Sequence, residues 1–382
     1  MAFPAFLAII PVGVIFFLSG FVVNIIQAIV FILVRPISKS MYRRINKIVA
    51  ELLWLQLVWL VDWWSNLKIQ VQADDQTYNL MGKENALVVS NHRSDIDWLV
   101  GWVLSQRSGC LGSAVAVMKK EAMALPIIGW SMWFSGYLFL ERSWAKDERT
   151  LKSGYKWLQD FPMPFWLALF VEGTRFTQSK LEAAQNFAAF NRLPIPRNVL
   201  IPRTKGFVSA VTNIRSFVPA IYDCTLAVPR DQPSPTMLRL FKRQPCVVYV
   251  HVKRHSMSDL AETPDGIAQW CKDLFVTKDA ALENFLVNNT FSTGKLQKLG
   301  RPKKSLMVFL VWSSFLAYAM ATLIEKFALK GSWKAIAFAF PLVGIVFIVM
   351  RILINSSEAE RHTSPPANTS SPDTVTVRLI QP

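Results

Sequence analysis

A histidine and two aspartates lie close together in the segment VSNHRSDIDWLV, residues 89–100. His92 follows an apolar run with the composition of a β-strand, and Asp95 and Asp97 come shortly after it. A neutral imidazole can remove a proton from a hydroxyl group, and it does so better when a carboxylate binds its other ring nitrogen. On a regular helix His92 would share a face with position 95 and not 97, so pairing with Asp97 requires a non-helical turn. The spacing alone leaves both aspartates open as the partner, and a surface histidine beside a helix cap is also consistent with it.

Four other segments place charged side chains after apolar runs or beside turn residues. Glycine lets a backbone approach a ligand closely, and arginine binds phosphate through two parallel hydrogen bonds. A basic residue after an apolar strand is common, so each segment alone is also consistent with a polar turn and a surface ion pair. In chain order the segments are KKEAMALPIIGW with Lys119 and Lys120, GYLFLER with Glu141 and Arg142, FVEGTRF with Glu172, Gly173, Thr174 and Arg175, and PRTKGF with Arg203 and Lys205.

The elements that must position these residues are short β-rich runs that alternate with helical patterns. The predicted strands are ENALVVS (84–90), FWLALFVE (165–172), FVPAIYD (217–223) and CVVYVHV (246–252). The predicted helices are WLVGWVLSQ, SWAKDERTLKSGYKWLQD and the segment that begins TPDGIAQWCKDLF. Alternating strands and helices predict an α/β domain. His92 would then lie at the carboxyl end of its strand, where ligands bind in α/β sheets.

An apolar segment begins the chain. As one straight helix, residues 2–34 would extend about 50 Å at ~1.5 Å per residue, whereas the hydrocarbon core of a bilayer is about 30 Å thick. The segment is therefore either a tilted span with an interfacial extension or a helical hairpin. The basic cluster at residues 35–47 predicts a cytosolic location for its end. Residues 51–64, ELLWLQLVWLVDWW, are either a helix at the membrane interface or a buried core helix.

Two apolar runs near the C-terminus, residues 305–324 and 335–350, are each near the length needed to cross a bilayer. They predict a C-terminal transmembrane hairpin that returns the chain to the cytosol. The last residues are rich in Ser, Thr and Pro, a composition typical of disorder. We therefore divide the chain into an N-terminal membrane anchor with interfacial helices at 1–65, a domain with the candidate catalytic residues at 66–300, the hairpin at 301–355 and a disordered tail at 356–382.

The composition favours an anionic partner and contact with lipid. The chain has 382 residues, a net charge of +16 and 52% hydrophobic residues, among them 14 Trp and 26 Phe. A basic balance favours nucleic acid, an anionic membrane or a phosphorylated substrate. The chain carries no nucleic-acid-binding motif, and apolar segments near both ends favour lipid, so no nucleic acid partner is expected. The four cysteines lack metal-ligand spacing, so no metal is expected either.

In their chain order, these motifs resemble those of the glycerolipid acyltransferases. NHRSDID matches the NHxxxxD signature of that family, and GYLFLER resembles its second motif, GxxFxxR. FVEGTR is similar to the third motif and FVPAIYD to the fourth, a Val-Pro strand. The resemblance covers roughly residues 80–300. PRTKGF and the C-terminal apolar pair are most similar to the endoplasmic-reticulum branch, the 1-acylglycerol-3-phosphate acyltransferases of the plant microsomal type.

The resemblance implies a fold and a set of roles. The fold would be an α/β fold with a mixed sheet flanked by helices, as in the glycerol-3-phosphate acyltransferases. His92 would be the general base and Asp97 its orienting partner, because the family's aspartate follows four intervening residues; Asp95 is a second carboxylate that could compete. The residues implied in substrate binding, mainly of the acceptor phosphate, are Glu172, Gly173, Thr174, Arg175 and Arg142, with Lys120 and Lys205 as further cations.

The reaction implied is acyl transfer from acyl-CoA to the sn-2 hydroxyl of lysophosphatidic acid, forming phosphatidic acid. The partners would be acyl-CoA, lysophosphatidic acid and membrane lipids, with no cofactor other than acyl-CoA as co-substrate. The chain lacks a GxSxG elbow, so no covalent acyl-enzyme is expected. The protein would be a multi-pass protein of the endoplasmic reticulum membrane with its catalytic domain in the cytosol. The alternatives are an acyltransferase for another lysophospholipid, such as lysophosphatidylinositol, or for glycerol 3-phosphate, and a non-catalytic membrane scaffold.

Overall fold

The centre of the molecule is an eight-stranded mixed sheet. The computed structural model describes residues 5–65, 67–328, 344–346, 348–352 and 354. In chain order the strands are β1 Leu67–Ala73, β2 Ala86–Ser90, β3 Ala114–Lys119, β4 Leu138–Leu140, β5 Trp166–Leu169, β6 Ala220–Ala227, β7 Cys246–Ser256 and β8 Lys295–Gln297. Their spatial order is β4-β3-β5-β2-β6-β7-β1-β8.

The five strands from β4 to β6 in this order are parallel, whereas β7 is antiparallel to β6 and β8 is antiparallel to β1. Because β5, β2 and β6 are adjacent and parallel, their carboxyl ends lie at one edge of the sheet. All eight residues of β6 are buried, as expected for a strand covered by helices on both faces. The prediction of an α/β fold with a mixed sheet flanked by helices is confirmed.

Each of the four predicted strands overlaps an observed one, and four more strands were missed. β1 alternates Lys and Gln with apolar residues, β3 is interrupted by alanines, and β4 and β8 have three residues each. Short edge strands contain too few residues for a period of two to be recognised in the sequence.

Helices cover the sheet. The helices that precede β8 in the chain are α1 Ala5–Leu33, α2 Lys39–Trp59, α3 Asp75–Leu80, α4 Asp97–Arg107, α5 Ile128–Ser135, α6 Trp144–Gln159, α7 Gln178–Phe190, α8 Thr204–Ile214, α9 Met237–Phe241 and α10 Pro264–Asn288. The helix α11 Lys304–Ala328 follows β8. Leu151, Tyr155 and Leu158 form the buried stripe of α6. Thr263 caps α10 by accepting a hydrogen bond from the Gly266 N–H, as its position before Pro264 predicts.

The N-terminal segment is one continuous helix, α1, so the single-helix interpretation is correct and the hairpin is not. α1 contains a stretch of 25 residues, Ile9–Leu33, that is long and apolar enough to cross a membrane. It is also attached to the domain through polar side chains. The Gln27 Nε2 donates to the Asn46 Oδ1 of α2 at 2.9 Å, and the Gln56 Nε2 donates to the Ser19 Oγ at 2.8 Å. Buried polar pairs of this kind fix the position of one apolar helix on another.

The second helix belongs to the core. Of the two interpretations of residues 51–64, the structure supports the buried helix, because α2 buries most of its second half. A π-helical turn at Leu60–Trp64 continues it towards β1. The Trp54 ring is buried against Trp102 of α4, with 4.3 Å between ring centroids. The N-terminal unit predicted at 1–65 therefore combines an apolar helix with a helix that packs under the sheet domain.

The helix α11 projects from the body by its C-terminal part. It contains another stretch long and apolar enough for a span, Lys304–Lys326, most of which is not buried. Its N-terminal part is held against the core, where the Phe309 ring stacks on Trp59 with 3.5 Å between ring centroids. Two predicted segments lie outside the described residues: the turn between the two C-terminal apolar runs, and the tail at 356–382. The hairpin and the disordered tail therefore remain predictions. Val346, Met350 and Ile354 of the second run are helical and buried.

Candidate active site

The strand β2 places His92 at the carboxyl edge of the sheet. Asn91 follows the strand directly and is fully buried. Its Nδ2 donates to the Leu226 carbonyl at 3.0 Å, and its Oδ1 accepts from the Leu226 N–H at 2.8 Å. The side chain therefore replaces a main-chain ladder pair between β2 and β6 and fixes the residue that precedes His92.

The imidazole of His92 is paired with Asp97. The His92 Nδ1 lies 2.8 Å from the Asp97 Oδ2. Asp97 also accepts hydrogen bonds from the Ser94 N–H at 2.8 Å and the Ser94 Oγ–H at 2.6 Å. Because an ionised carboxylate only accepts, Nδ1 carries the proton and Nε2 keeps a free lone pair. Residues 93–96 form the non-helical turn that this pairing requires, and α4 begins at Asp97.

Asp95 does not compete for this position. Its Oδ2 accepts a 3.4 Å hydrogen bond from the Met237 N–H at the start of α9, and its carbonyl accepts from the Trp98 indole N–H at 2.7 Å. The His92 side chain is 24% exposed and Asp97 is 4% exposed. The pair thus has a buried carboxylate that orients a partly accessible imidazole, as general base catalysis requires.

The loop after β5 contacts His92 from the other side. The His92 N–H donates to the Glu172 Oε1 at 3.3 Å, and the His92 carbonyl accepts from the Phe176 N–H at 2.7 Å. The Phe170 ring lies against the imidazole with 4.7 Å between centroids. Burial raises the pKa of the Glu172 carboxyl to about 8, partly offset by the His92 hydrogen bond and by the charge of Lys278. The segment FVEGTRF is therefore a neighbour of the imidazole.

Gly173 and its flanking residues shape this loop. Gly173 has a φ of 68°, and a Cβ there would lie 2.9 Å from the Cδ of Arg203, so glycine lets the exposed Arg203 side chain cross the loop closely. The Lys180 Nζ donates to the Thr174 Oγ1 at 2.7 Å and to the Arg175 carbonyl at 3.0 Å. Arg175 is only 5% exposed.

Two of the candidate cations, Lys120 and Arg142, lie just after the adjacent parallel strands β3 and β4. Lys120 pairs with Glu141, which also accepts from the Lys146 Nζ at 3.0 Å. The hydrogen bonds from Lys120 and Lys146 lower the pKa of the Glu141 carboxyl to about 2. Arg142 is exposed and has a φ of 62°, a left-handed conformation that arginine rarely adopts. This cluster carries two more positive charges than negative ones.

Lys205 lies in the first turn of α8, with its ammonium 5.9 Å from the ring centre of Trp144. It is exposed on the same segment as Arg203. Of these two cations, the sequence interpretation selected Lys205 as a site residue, but Arg203 is the one that the structure places against Gly173.

Two cavities meet at Asp97. A polar cleft of about 300 Å³ is lined by Arg93, Ser94 and Arg230, among others. A smaller cavity of about 80 Å³ is almost entirely apolar, and its walls include Trp98, Trp102, Phe170 and Met132. Gly101 of α4 also lines it, and a Cβ at this position would meet no atom within 4 Å. Asp97 thus lies between a basic polar space and an apolar space.

A buried lysine supports the strand next to the site. The ammonium of Lys278 of α10 is fully buried and donates to the Asp223 carboxylate, to the Cys224 carbonyl at 2.8 Å and to the Thr225 Oγ1 at 3.0 Å. These three residues belong to β6, the strand to which Asn91 is bonded. The sequence reasoning missed Lys278, because an isolated lysine in an amphipathic helix gives no sign of its distant carboxylate.

Asn91 and Ser94 were also missed as parts of the site. Ser94 had a sequence signal, because Ser-x-x-Asp before an apolar helix is typical of a capping box, in which the acidic side chain bonds back to the serine N–H. Asn91 had none, because its partner, Leu226, is 135 residues away. In the described parts of the chain, no three His, Cys, Asp or Glu side chains converge as metal ligands would.

Comparison with known proteins gives two family matches. Residues 68–228 match the model of the acyltransferase family, and residues 239–312 match that of the acyltransferase C-terminus. The first range contains the His92–Asp97 pair and the loop after β5.

Named relatives cover almost the whole chain. The 1-acyl-sn-glycerol-3-phosphate acyltransferase 2 of Brassica napus is 63% identical over 355 residues, which are 93% of this chain and 91% of that protein. The 1-acyl-sn-glycerol-3-phosphate acyltransferase 3 of Arabidopsis thaliana is 62% identical over 364 residues, or 95% of this chain and 96% of that protein. The human gamma form is 35% identical over 353 residues, or 92% of this chain and 93% of that protein.

Proposed function

Because this chain belongs to the acyltransferase family, we propose that it acylates 1-acyl-sn-glycerol 3-phosphate, lysophosphatidic acid, at the sn-2 hydroxyl to give phosphatidic acid. The names of relatives that are 62–63% identical over most of the chain support this acceptor. The observation that carries the proposal is the 2.8 Å contact between the His92 Nδ1 and the Asp97 Oδ2. It leaves Nε2 available as a base at the carboxyl edge of the sheet, where Asp97 lines both an apolar and a polar space.

The reaction proceeds as a direct transfer. The acceptor hydroxyl donates its proton to the His92 Nε2 while its oxygen attacks the thioester carbonyl. The imidazolium that forms is stabilised by Asp97, which Ser94 holds in place. The tetrahedral intermediate then expels the CoA thiolate, which takes the proton back from His92, so that the products are an ester and a free thiol. Backbone N–H groups at the strand ends are suited to stabilise the oxyanion.

The donor in this proposal is acyl-CoA, acting as co-substrate without a further cofactor. The apolar cavity behind Phe170 suits the first carbons of the donor's hydrocarbon chain, because apolar walls lose no hydrogen bonds to them. The polar cleft suits the CoA phosphates, because Arg93 and Arg230 line it and guanidinium groups bind phosphate through paired hydrogen bonds. The thioester between these two parts would then lie beside the dyad.

The acceptor phosphate is assigned to Lys120 and Arg142, the exposed cations just after the neighbouring strands β3 and β4, with Lys205 and the Gly173 loop as further candidates from the sequence motifs. The burial of Arg175 favours a role in shaping this loop as well as in binding. We place the protein in the endoplasmic reticulum membrane as a multi-pass protein with the sheet domain in the cytosol, with α1 and α11 as the candidate spans.

The test is an assay of the purified full chain in phospholipid vesicles, with acyl-CoA donors of several lengths crossed with several acceptors. We expect transfer to lysophosphatidic acid to exceed transfer to lysophosphatidylinositol and glycerol 3-phosphate. His92→Ala should lower the rate by about 10²–10⁴-fold while the protein still sediments with the vesicles. Preference for another acceptor would replace the proposed substrate, and a wild-type chain without activity on any acceptor would favour a scaffold.

A further inference from the structure

The helices α1 and α5 enclose a second apolar space, on the side of α5 that faces away from the dyad. This groove has a volume of about 610 Å³. Four residues of α1 line it at the spacing of one helical face, and four residues at and before α5 complete it. The lining residues are Phe21, Asn24, Ile25 and Ala28 of α1 and Met123, Trp130, Trp133 and Phe134. Both tryptophans are 47% exposed, so the groove is open along one side.

Two contacts set the length of the groove. At one end Gly20 allows α1 to touch Ile127, since a Cβ at Gly20 would lie 2.3 Å from the Ile127 Cγ2. At the other end the Phe31 ring contacts Trp133, with 5.1 Å between centroids. From position 20 to position 31, a helix rises about 16 Å. The groove is therefore an elongated apolar slot along α1, which contains one of the two stretches in the described residues that are long and apolar enough to span a membrane.

A positive charge lies near this slot. Met123 lines the groove and belongs to the 3₁₀-helical turn Lys120–Ala124. At a rise of about 2.0 Å per residue, Lys120 lies only about 6 Å along this turn from Met123. The Lys120 side chain is half exposed, at 52%. An amphiphile with its chain in the slot would thus have its anionic head within reach of this ammonium.

The helix α5 is a wall between the groove and the catalytic cavity. Trp130 and Trp133 face the groove, whereas Met132 lines the cavity beside Asp97. The wall is fixed to α2, because the Phe134 carbonyl accepts hydrogen bonds from the Tyr42 Oη at 2.7 Å and the Asn46 Nδ2 at 3.2 Å. The two apolar spaces are therefore separate sites, and the reaction proposed above has two hydrocarbon chains to place.

We propose that the groove between α1 and α5 binds the hydrocarbon chain of the single-chain acceptor lipid, with its phosphate at Lys120. This assignment rests on the proposed function and adds to it the site of the acceptor chain. The donor chain occupies the cavity on the other side of α5, so each chain has its own apolar surface. The groove lies on the candidate span, so the acceptor moves from the bilayer into it sideways, without leaving an apolar environment.

The first test is a substitution that fills the groove with a large side chain. Ala28→Trp should raise the KM for 1-oleoyl lysophosphatidic acid by about ten-fold, a loss of about 1.4 kcal/mol in binding. The KM for 1-hexanoyl lysophosphatidic acid should change far less, because its short chain fills little of the groove, and the KM for oleoyl-CoA should stay unchanged, because the donor does not use the groove. Ile32→Trp, on an exposed part of α1 outside the groove, is the matched control and should behave as wild type. An equal effect on both acceptors, or a rise in the KM for the donor alone, would overturn the assignment.

A binding measurement separates this assignment from the proposed function. The cysteines at 110, 224, 246 and 271 are all buried, so a thiol-reactive fluorophore will select an introduced cysteine. With the probe on Met123→Cys, 1-oleoyl lysophosphatidic acid should shift the emission, and Ala28→Trp should abolish the shift. The same probe on Lys152→Cys, an exposed position on α6, should not respond.

The activity assay and the fluorescence measurement distinguish failure of the proposed function from failure of the groove assignment. A wild-type chain that binds the lipid at position 123 without acylating it contradicts the proposed function and supports the groove. An active wild-type chain whose labelled Met123→Cys variant does not respond to the lipid contradicts the groove alone.

Discussion

The side chain of Asn91 pairs with the main chain of Leu226 through one donated and one accepted hydrogen bond, at 3.0 and 2.8 Å. The asparagine thereby continues the ladder between two parallel strands for one more residue. It positions the backbone of His92 without facing substrate. The position of the His92 imidazole thus depends on a contact between segments far apart in the chain.

Asn91→Ala should lower kcat with little change in the KM of either substrate. The substitution leaves a buried N–H and carbonyl of Leu226 unpaired, which costs about 1–3 kcal/mol for each group. Asn91→Asp, which keeps the acceptor and loses the donor, should retain more activity than Ala. Steady-state kinetics of the two variants check this, and a change confined to KM would contradict a positioning role.

Asp97→Asn should reduce the rate far more than Asp95→Asn. Asn at 97 cannot stabilise the imidazolium, and it disturbs the two hydrogen bonds from Ser94. We expect a loss of about 10²–10⁴-fold for Asp97→Asn, the range of a general acid–base contribution. The Asp95 Oδ2 accepts a hydrogen bond from the Met237 N–H at the start of α9, whereas Asp97 binds the His92 Nδ1, so the Asp95 variant should remain active. The reverse order in an assay at saturating substrate would reassign the partner of His92.

Lys120→Ala should weaken the binding of phosphorylated acceptors, whereas Lys146→Ala should have less effect. Both lysines pair with Glu141, so each variant removes one lysine partner from the same carboxylate. Of the two lysines, only Lys120 belongs to the turn that contributes Met123 to the groove between α1 and α5. Comparison of the KM values for lysophosphatidic acid and for monoacylglycerol, which lacks the phosphate, isolates the charge. Equal changes for the two acceptors would exclude a phosphate contact.

Glu172→Gln should stabilise the protein increasingly as the pH rises. The folded-state pKa of about 8 lies above the ordinary value of about 4.3, so the folded chain holds a proton that the unfolded chain releases. The stability of the wild type therefore falls between about pH 4 and 8 relative to glutamine, which does not titrate and keeps the Oε1 acceptor for the His92 N–H. Melting temperatures in detergent at pH 5, 7 and 9 measure the difference. A constant difference across that range would contradict the raised pKa.

Lys278→Met should be strongly destabilising. Removal of one partner leaves the Asp223 charge buried without its ion pair, at a cost of about 3–5 kcal/mol. The double variant Lys278→Met with Asp223→Leu should recover much of this loss, because no charge remains buried. Lys295→Met, which breaks an exposed pair with Asp75, is the control and should have little effect. Chemical denaturation of the three variants provides the comparison.

The sequence by itself determined the alternation of strands and helices, because burial on both faces leaves continuous apolar runs in β2, β5 and β6. It also determined the family, through the order of four short motifs, and the site of His92 at a strand end. The single-helix form of α1 was one of two alternatives that hydropathy allowed, since length alone does not distinguish a long helix from a bent one.

Spacing left both aspartates open and the family resemblance implied Asp97, but only the tertiary structure shows the contact between Asp97 and the imidazole. Asp95 and Asp97 are equally plausible by type, and the choice follows from a turn closed by the Ser94 hydrogen bonds. It also decided that Arg203 crosses the Gly173 loop, that Lys278 is an internal ion-pair partner, and that α5 separates two apolar spaces. The physical reason is common to all of them. Sequence patterns record local periodicity, whereas these contacts join segments whose separation along the chain carries no periodic signal.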